Sequence, residues 1–194
     1  MGLGKHESSQ HQWEIAFMLT LIFDTETTGL VQNSGQSLAK QPQVLEFFGL
    51  VIDGEDKEVA TLHKYFNPGR PIAPLITKIT GITDDMVKAA PSFVDGCEGI
   101  LKLIASVEKV VAHNLSYDIS VIDFEFDRME KKVEWPKKKI CTVEATENFL
   151  GYRLNLGALH EHLFGDGFTG AHKAENDVRA TARCYIELVR RGEV

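Results

Sequence analysis

Apolar positions come in short runs up to residue 66 and take on helical spacing further along the chain. Residues 19–23 form an apolar run that ends at Asp24, with the turn-rich Thr27-Thr28-Gly29 close behind, the pattern of a buried strand leading into a loop. Residues 32–43 are polar, hold Gly35 and Pro42, and read as an exposed loop. Residues 44–52 and 58–66 read as two further strands joined by Asp53-Gly54-Glu55-Asp56, in which Asp-Gly signals a hairpin. Residues 67–74, rich in Pro and Gly, end this meander. Thr83 ahead of Asp84-Asp85-Met86 has the look of a helix N-cap. Phe93, Ile100, Leu101, Leu103 and Ile104 suit one amphipathic helix over 93–106. A short strand at 109–112, a helix capped by Asn114 and running to about Glu130, a last strand at 139–142, and helices at 143–149, 155–163 and 174–191 complete the pattern. Three strands followed by alternating helices and strands predict an α/β domain, a mixed β-sheet flanked by helices.

The length of 194 residues fits one domain with a full core. Residues 1–17 read as a leader, a disordered tail or a cloning remnant, ahead of a folded domain at 18–194. Residues 1–12 are polar, carry one Lys and lack the apolar centre of a secretory signal, so a cytoplasmic protein is expected. No apolar run is long enough to cross a membrane. Cys97, Cys141 and Cys184 are odd in number and far apart, which favours buried free thiols over a disulfide framework or a zinc site. The net charge of −7 argues against a broad basic surface and a long nucleic-acid footprint, although two bound divalent cations would reduce it to −3.

Candidate chemistry lies in three acidic segments. Asp24-Thr25-Glu26 ends the first strand, and side chains two apart on a strand share a side. Two carboxylates so placed repel each other and lose hydration, and a divalent cation would relieve both costs; an isolated D-x-E is common, however, and taken alone is more often two solvated charges in a turn. Asp118 falls in the first turn of the helix after the 109–112 strand, where the helix dipole alone would favour it. Ala171-His172-Lys173-Ala174-Glu175-Asn176-Asp177 puts His172 ahead of the last helix and Asp177 on it. A lone His is more often a surface or core residue, and His160 and His162 are read as structural.

Together, Phe23-Asp24-Thr25-Glu26-Thr27-Thr28-Gly29-Leu30, His113-Asn114-Leu115-Ser116-Tyr117-Asp118 and the H-x-A-x-x-D spacing of His172 to Asp177 resemble the DEDD exonuclease superfamily in its histidine branch, DEDDh. The resemblance covers about residues 19–190 and is nearest to the DNA polymerase III epsilon-type proofreading exonucleases. Val44-Leu45-Glu46 is similar to the family's second strand. Ile79-Thr80-Gly81-Ile82-Thr83 is similar to its H-G-I-T turn, with Thr80 where His is usual, and Tyr117 stands where Phe is commoner.

The resemblance implies a ribonuclease H-like sheet with helices on both faces and a 3′–5′ exonuclease using two divalent cations, Mg²⁺ or Mn²⁺. Asp24, Glu26, Asp118 and Asp177 would be the metal ligands, with Asp24 bridging the two ions and Asp118 acting partly through water. His172 would take the proton from the attacking water. Thr27, Thr28, Leu30 and Asn114 are the substrate-binding candidates. Single-stranded DNA or RNA with a free 3′ end is the expected partner, DNA being favoured, and a DNA polymerase is a further one. An RNA-processing exonuclease of the same family, a phosphodiesterase for small nucleotides, and a non-catalytic binding module are the alternatives. Lys131, Lys132, Lys137, Lys138 and Lys139 around Trp135 fit either a track for a single strand or a solvated loop.

Overall fold

A computed structural model describes residues 18–33, 35–168, 170 and 173–194; the expected leader, 1–17, lies outside them. Strand β1 (Thr20–Thr27) is central, and β2 (Val44–Ile52) lies between it and the edge strand β3 (Glu58–Tyr65). Short helices follow: α1 (Pro74–Thr80), α2 (Asp84–Val87), α3 (Phe93–Gly96) and α4 (Glu98–Ala105). Next come β4 (Lys109–Ala112), α5 (Leu115–Asp127), β5 (Lys138–Cys141), α6 (Thr142–Leu150), α7 (Leu156–Phe164) and α8 (Ala174–Arg191). The sheet order is β3-β2-β1-β4-β5. Pairs β1–β2 and β2–β3 are antiparallel, while β1–β4 and β4–β5 are parallel. The expected mixed sheet is present.

Alternation along β1 decides which helix covers which face. Leu21 and Phe23, with Phe47 and Val51 of β2, pack against Ile100 and Ile104 of α4 and Val121, Ile122 and Phe126 of α5. Ile22, with Phe48, Leu50 and Ile52, packs against Ala174, Val178, Ala182 and Tyr185 of α8. Each such buried Leu, Ile or Phe contributes roughly 1.5–3 kcal/mol. Gly49 lets the first of these faces close: a Cβ there would lie 2.9 Å from Leu103 Cδ2 and 3.0 Å from both Leu21 Cδ1 and Phe47 Cε1.

Several elements differ from the sequence pattern. Strand β1 continues past the apolar run to Thr27, because β2 supplies cross-strand partners along its whole length, Glu26 opposite Glu46 among them. The helix expected over 93–106 breaks at Cys97 into α3 and α4, with Ser92 capping the first through a 3.3 Å bond from Asp95 N–H. The Pro-rich stretch starts a helix that the pattern did not show: Pro74 occupies its first turn and Gly81 ends it at φ 75°. The last strand lies one residue earlier than expected. The loop before β2 is not wholly exposed: Gln41 is buried, and Arg128 donates to the carbonyls of Leu38, Gln41 and Pro42 at 3.0–3.1 Å. The three cysteines are free and buried, as expected.

Candidate active site

The face of the sheet under α8 turns from apolar to acidic at one end. Ile22 is the last apolar residue of β1 on that face, followed at two-residue intervals by Asp24 and Glu26. Packing of Ala174 and Val178 on Ile22 and Phe48 fixes the first turn of α8 over that point, and Asp177 precedes Val178. As a result one carboxylate oxygen from each of Asp24, Glu26 and Asp177 lies within 4.8 Å of the others. The start of a helix is a favourable place for negative charge, yet it does not offset this crowding. Burial holds the Asp24 carboxyl well above the ordinary range, and the charges of Asp118, Glu26, Asp177 and Glu46 add to it in that order. Glu26 is pushed up to about 8 by burial first, then by Asp177, Glu46 and Asp118. Closely spaced carboxyl oxygens that resist ionising alone suit a hard divalent cation, which supplies the missing charge.

Asp118 reaches the same strand end by another route. It is buried, and one of its oxygens accepts from both the Thr25 amide (3.0 Å) and the Thr25 hydroxyl (2.7 Å). Thr25 faces away from Asp24 and Glu26, so this bond ties the first turn of α5 to β1. Burial raises the Asp118 pKa against those hydrogen bonds. Asp118 lies outside the triad of mutually close oxygens and acts on it through its charge.

His172 lies outside the described residues. The Thr27 hydroxyl is engaged with Gly29 O (2.8 Å) and the Tyr117 hydroxyl (2.6 Å), and Tyr117 in turn donates to Gly29 O. The hydroxyl that distinguishes Tyr117 from Phe therefore braces the turn after β1. Thr28 is similarly occupied: its amide donates to Gln43 O, and its hydroxyl accepts from Gln43 N–H and Arg70. Leu30 is 76% exposed. Asn114 does not cap α5 with its side chain; it is exposed, with a left-handed backbone at φ 73°, which reverses the chain between β4 and the helix. Trp135 stacks on Phe23 at 5.7 Å and donates to Asp123 at 2.8 Å, which makes it a partly buried flank of the core. His160 is buried between Asp166 O and Arg183, a structural position as expected.

A polar cluster beside the triad went unassigned in the sequence. Glu46 is 97% buried directly across from Glu26. Its carboxylate bonds His63 Nε2 at 2.6 Å. The Tyr65 hydroxyl is raised to about 12 by burial, then by the charge of Glu46 and a hydrogen bond to it. These residues line a cavity of about 490 Å³ together with Thr80, Gly81, Ile82, Met86, and Lys173 and Asn176 at the start of α8. Only the cross-strand register, Phe48 opposite His63 and Glu46 opposite Tyr65, brings the cluster together.

The family model described as Exonuclease (RNase_T) matches residues 21–185. The chain belongs to the exonuclease family. Relatives of this exonuclease domain include the PolC-type DNA polymerase III of Bacillus subtilis, 28% identical over 88% of the chain and 11% of the relative. The DNA polymerase III subunit epsilon of Haemophilus influenzae is 29% identical over 87% of the chain and 66% of the relative. The chain thus spans less than two thirds of these relatives. Its fold is shared by the nuclease domain of 3′hExo, a DEDDh family member, bound to rAMP: TM-score 0.74, 17% identity, 91% of this chain and 94% of that one. The zinc-bound form of the E. coli ExoI–ssDNA complex gives 0.72 at 21% identity, over 90% of this chain and 41% of that one. The sheet with helices on both faces is therefore the ribonuclease H-like arrangement that the motifs implied. Among the described residues no helix is long and apolar enough to cross a membrane.

Proposed function

We propose that residues 18–194 form a 3′–5′ exonuclease domain that releases nucleoside 5′-monophosphates from single-stranded nucleic acid, DNA in preference to RNA. The observation that carries this reading is the convergence of Asp24, Glu26 and Asp177 within 4.8 Å in an exonuclease-family chain. These three would hold divalent cations, two Mg²⁺ or Mn²⁺ ions, with Asp118 as the fourth acidic group beside them. When bound, such ions withdraw charge from the scissile phosphate and favour the ionised form of water. The chain's own residues do the rest. The buried carboxylates fix where the charge is held. His172, whose imidazole can change protonation near neutral pH, accepts the proton of the attacking water. Leu30, standing clear of the surface, enters between the last bases, while Thr27 and Thr28 shape the turn under the terminal nucleotide and Asn114 borders it. The likeness to polymerase III proteins supports association with a DNA polymerase in the cytoplasm.

A time course on 5′-labelled DNA and RNA of one sequence tests this. Shortening from the 3′ end that needs Mg²⁺ or Mn²⁺ and is faster on DNA is expected. Asp24→Ala or Asp177→Ala should abolish it without lowering the melting temperature. Activity undiminished by excess chelator would refute the metal-dependent reading, and cleavage confined to dinucleotides would reassign the substrate.

A further inference from the structure

The side of α8 turned away from the sheet holds chemistry that the proposed reaction does not use. Ala174, Val178, Ala182 and Tyr185 pack on the sheet, which leaves Asn176, Arg179 and Arg183, three and four residues apart, as a stripe on another side of the helix. With His160 of α7 and Phe168 this stripe lines a cavity of about 320 Å³, within the roughly 300–1,000 Å³ of small-molecule sites. None of the triad residues lines it. Asn176 ties Gly170 O to α8 at 2.9 Å, and so holds the chain that follows Phe168 against the helix.

Arg183 stands out in this cavity. Among the described residues Arg128, Arg153, Arg179, Arg190 and Arg191 each pair with a carboxylate at 2.8–3.6 Å, whereas Arg183 pairs with none. Groups that leave its charge intact hold its guanidinium. Nη1 donates to His160 Nε2 at 3.0 Å, and the Phe164 ring lies 4.5 Å from the guanidinium carbon. His160 can accept there because its proton is on Nδ1, which donates to Asp166 O at 2.8 Å. The Asp166 carboxylate, 70% exposed, approaches that far nitrogen at 3.8 Å, while the His160 side chain is only 2% exposed. The group that orients Arg183 is therefore itself fixed in the core. A guanidinium held in this way has already given up its rotamer freedom, so an anion docking on it costs little more ordering. Its remaining N–H groups form the planar fork that matches phosphate oxygens two at a time. Arg179 is a second guanidinium on the cavity, but Glu175 at 2.9 Å and Glu58 at 3.0 Å offset its charge.

We propose that this cavity is a metal-independent binding site for a terminal phosphate group, that of a nucleoside monophosphate or of free phosphate, held on Arg183. Such a group brings about −2 charge and three acceptor oxygens, more than a carboxylate offers to the same fork. Phe168 is the apolar wall for an attached nucleoside.

Calorimetry in metal-free, phosphate-free buffer tests this with inorganic phosphate and deoxyadenosine 5′-monophosphate as probes. Without a cation the acidic triad repels both, so the result does not depend on the exonuclease reading. The wild type should bind, and Arg183→Gln, with native circular dichroism, should bind roughly 10–100-fold more weakly, the worth of hydrogen bonds to a charged group. Arg183→Lys keeps the charge without the fork and should fall between the two; Arg179→Gln should matter less than Arg183→Gln. Tighter binding of the nucleotide than of phosphate supports a nucleoside monophosphate as the natural occupant, and equal binding supports free phosphate. A wild type that binds neither probe, or an Arg183→Gln protein that binds as wild type does, overturns the proposal. If the Gln variant fails to fold, wild-type affinity in Arg183→Lys overturns it. Displacement of the nucleotide by an unphosphorylated single strand, which carries only diesters, would give the cavity to a strand and also overturn it.

Discussion

Replacing Glu26 by Gln removes one charge from the acidic site and keeps its shape, and its effect on stability must change with pH. In the folded chain the Glu26 carboxyl is raised from 4.5 to about 8, chiefly by burial and then by Asp177, Glu46 and Asp118. The unfolded chain releases that proton near the ordinary value. Between the two, the folded state binds more protons than the unfolded one, so stability falls as pH rises. At about 1.4 kcal/mol per pH unit, this one group withdraws on the order of 3 kcal/mol from the metal-free protein between pH 5 and pH 8. Glu26→Gln lacks the group, so its stability relative to wild type should grow by about that much over the same interval. Relief of Asp24, whose own pKa Glu26 helps to raise, acts in the same direction. Urea unfolding of both proteins in chelator at pH 5, 6.5 and 8 measures it. Mg²⁺ at pH 8 should then raise the melting temperature of wild type more than that of the variant, since the cation takes the place of the proton. A stability difference that stays constant across the series would refute the claim that crowded, desolvated carboxylates define this site.

His172→Ala should lower kcat by roughly 10²–10⁴-fold, the usual share of a general base, with KM for single strands nearly unchanged; full turnover in the purified variant would remove His172 from the mechanism. His113 is lowered to about 4 by burial and bonds Thr142 Oγ1 at 2.8 Å. Below pH 6.5 the unfolded chain therefore takes up a proton at this ring that the folded chain refuses, and this group's contribution to stability drops as pH falls from about 6.5 toward 4, opposite in sign to that of Glu26. The stability of His113→Asn relative to wild type should therefore grow as pH falls from 6.5 to 5 in the same urea series. Gly49→Ala should cost about 1–3 kcal/mol through the contacts its Cβ would make with Leu103, Leu21 and Phe47, seen as a lower melting temperature with the metal response retained; an unchanged melting temperature would mean that this face has slack.

The sequence alone determined a good deal. Period-two alternation needs no tertiary knowledge to place Asp24 and Glu26 on one side of a strand, and β2, β4 and α8 occupy the residues that the apolar pattern marked. Spacing within the three motifs was enough to name the family. Tertiary structure decided what depends on partners distant in sequence. Whether Asp177 meets Asp24 rests on Ala174 and Val178 packing against Ile22 and Phe48, and no local pattern records that contact. Asp118 became an anchor for Thr25, 93 residues away. Glu46, His63 and Tyr65 became one cluster through strand register. The Pro-rich stretch that reads as a break became α1, because proline suits a helix start and Gly81 a helix end. Composition and periodicity report which residues seek the interior and what backbone they favour; which side chains then touch is set by the packing of elements that the chain brings together from far apart.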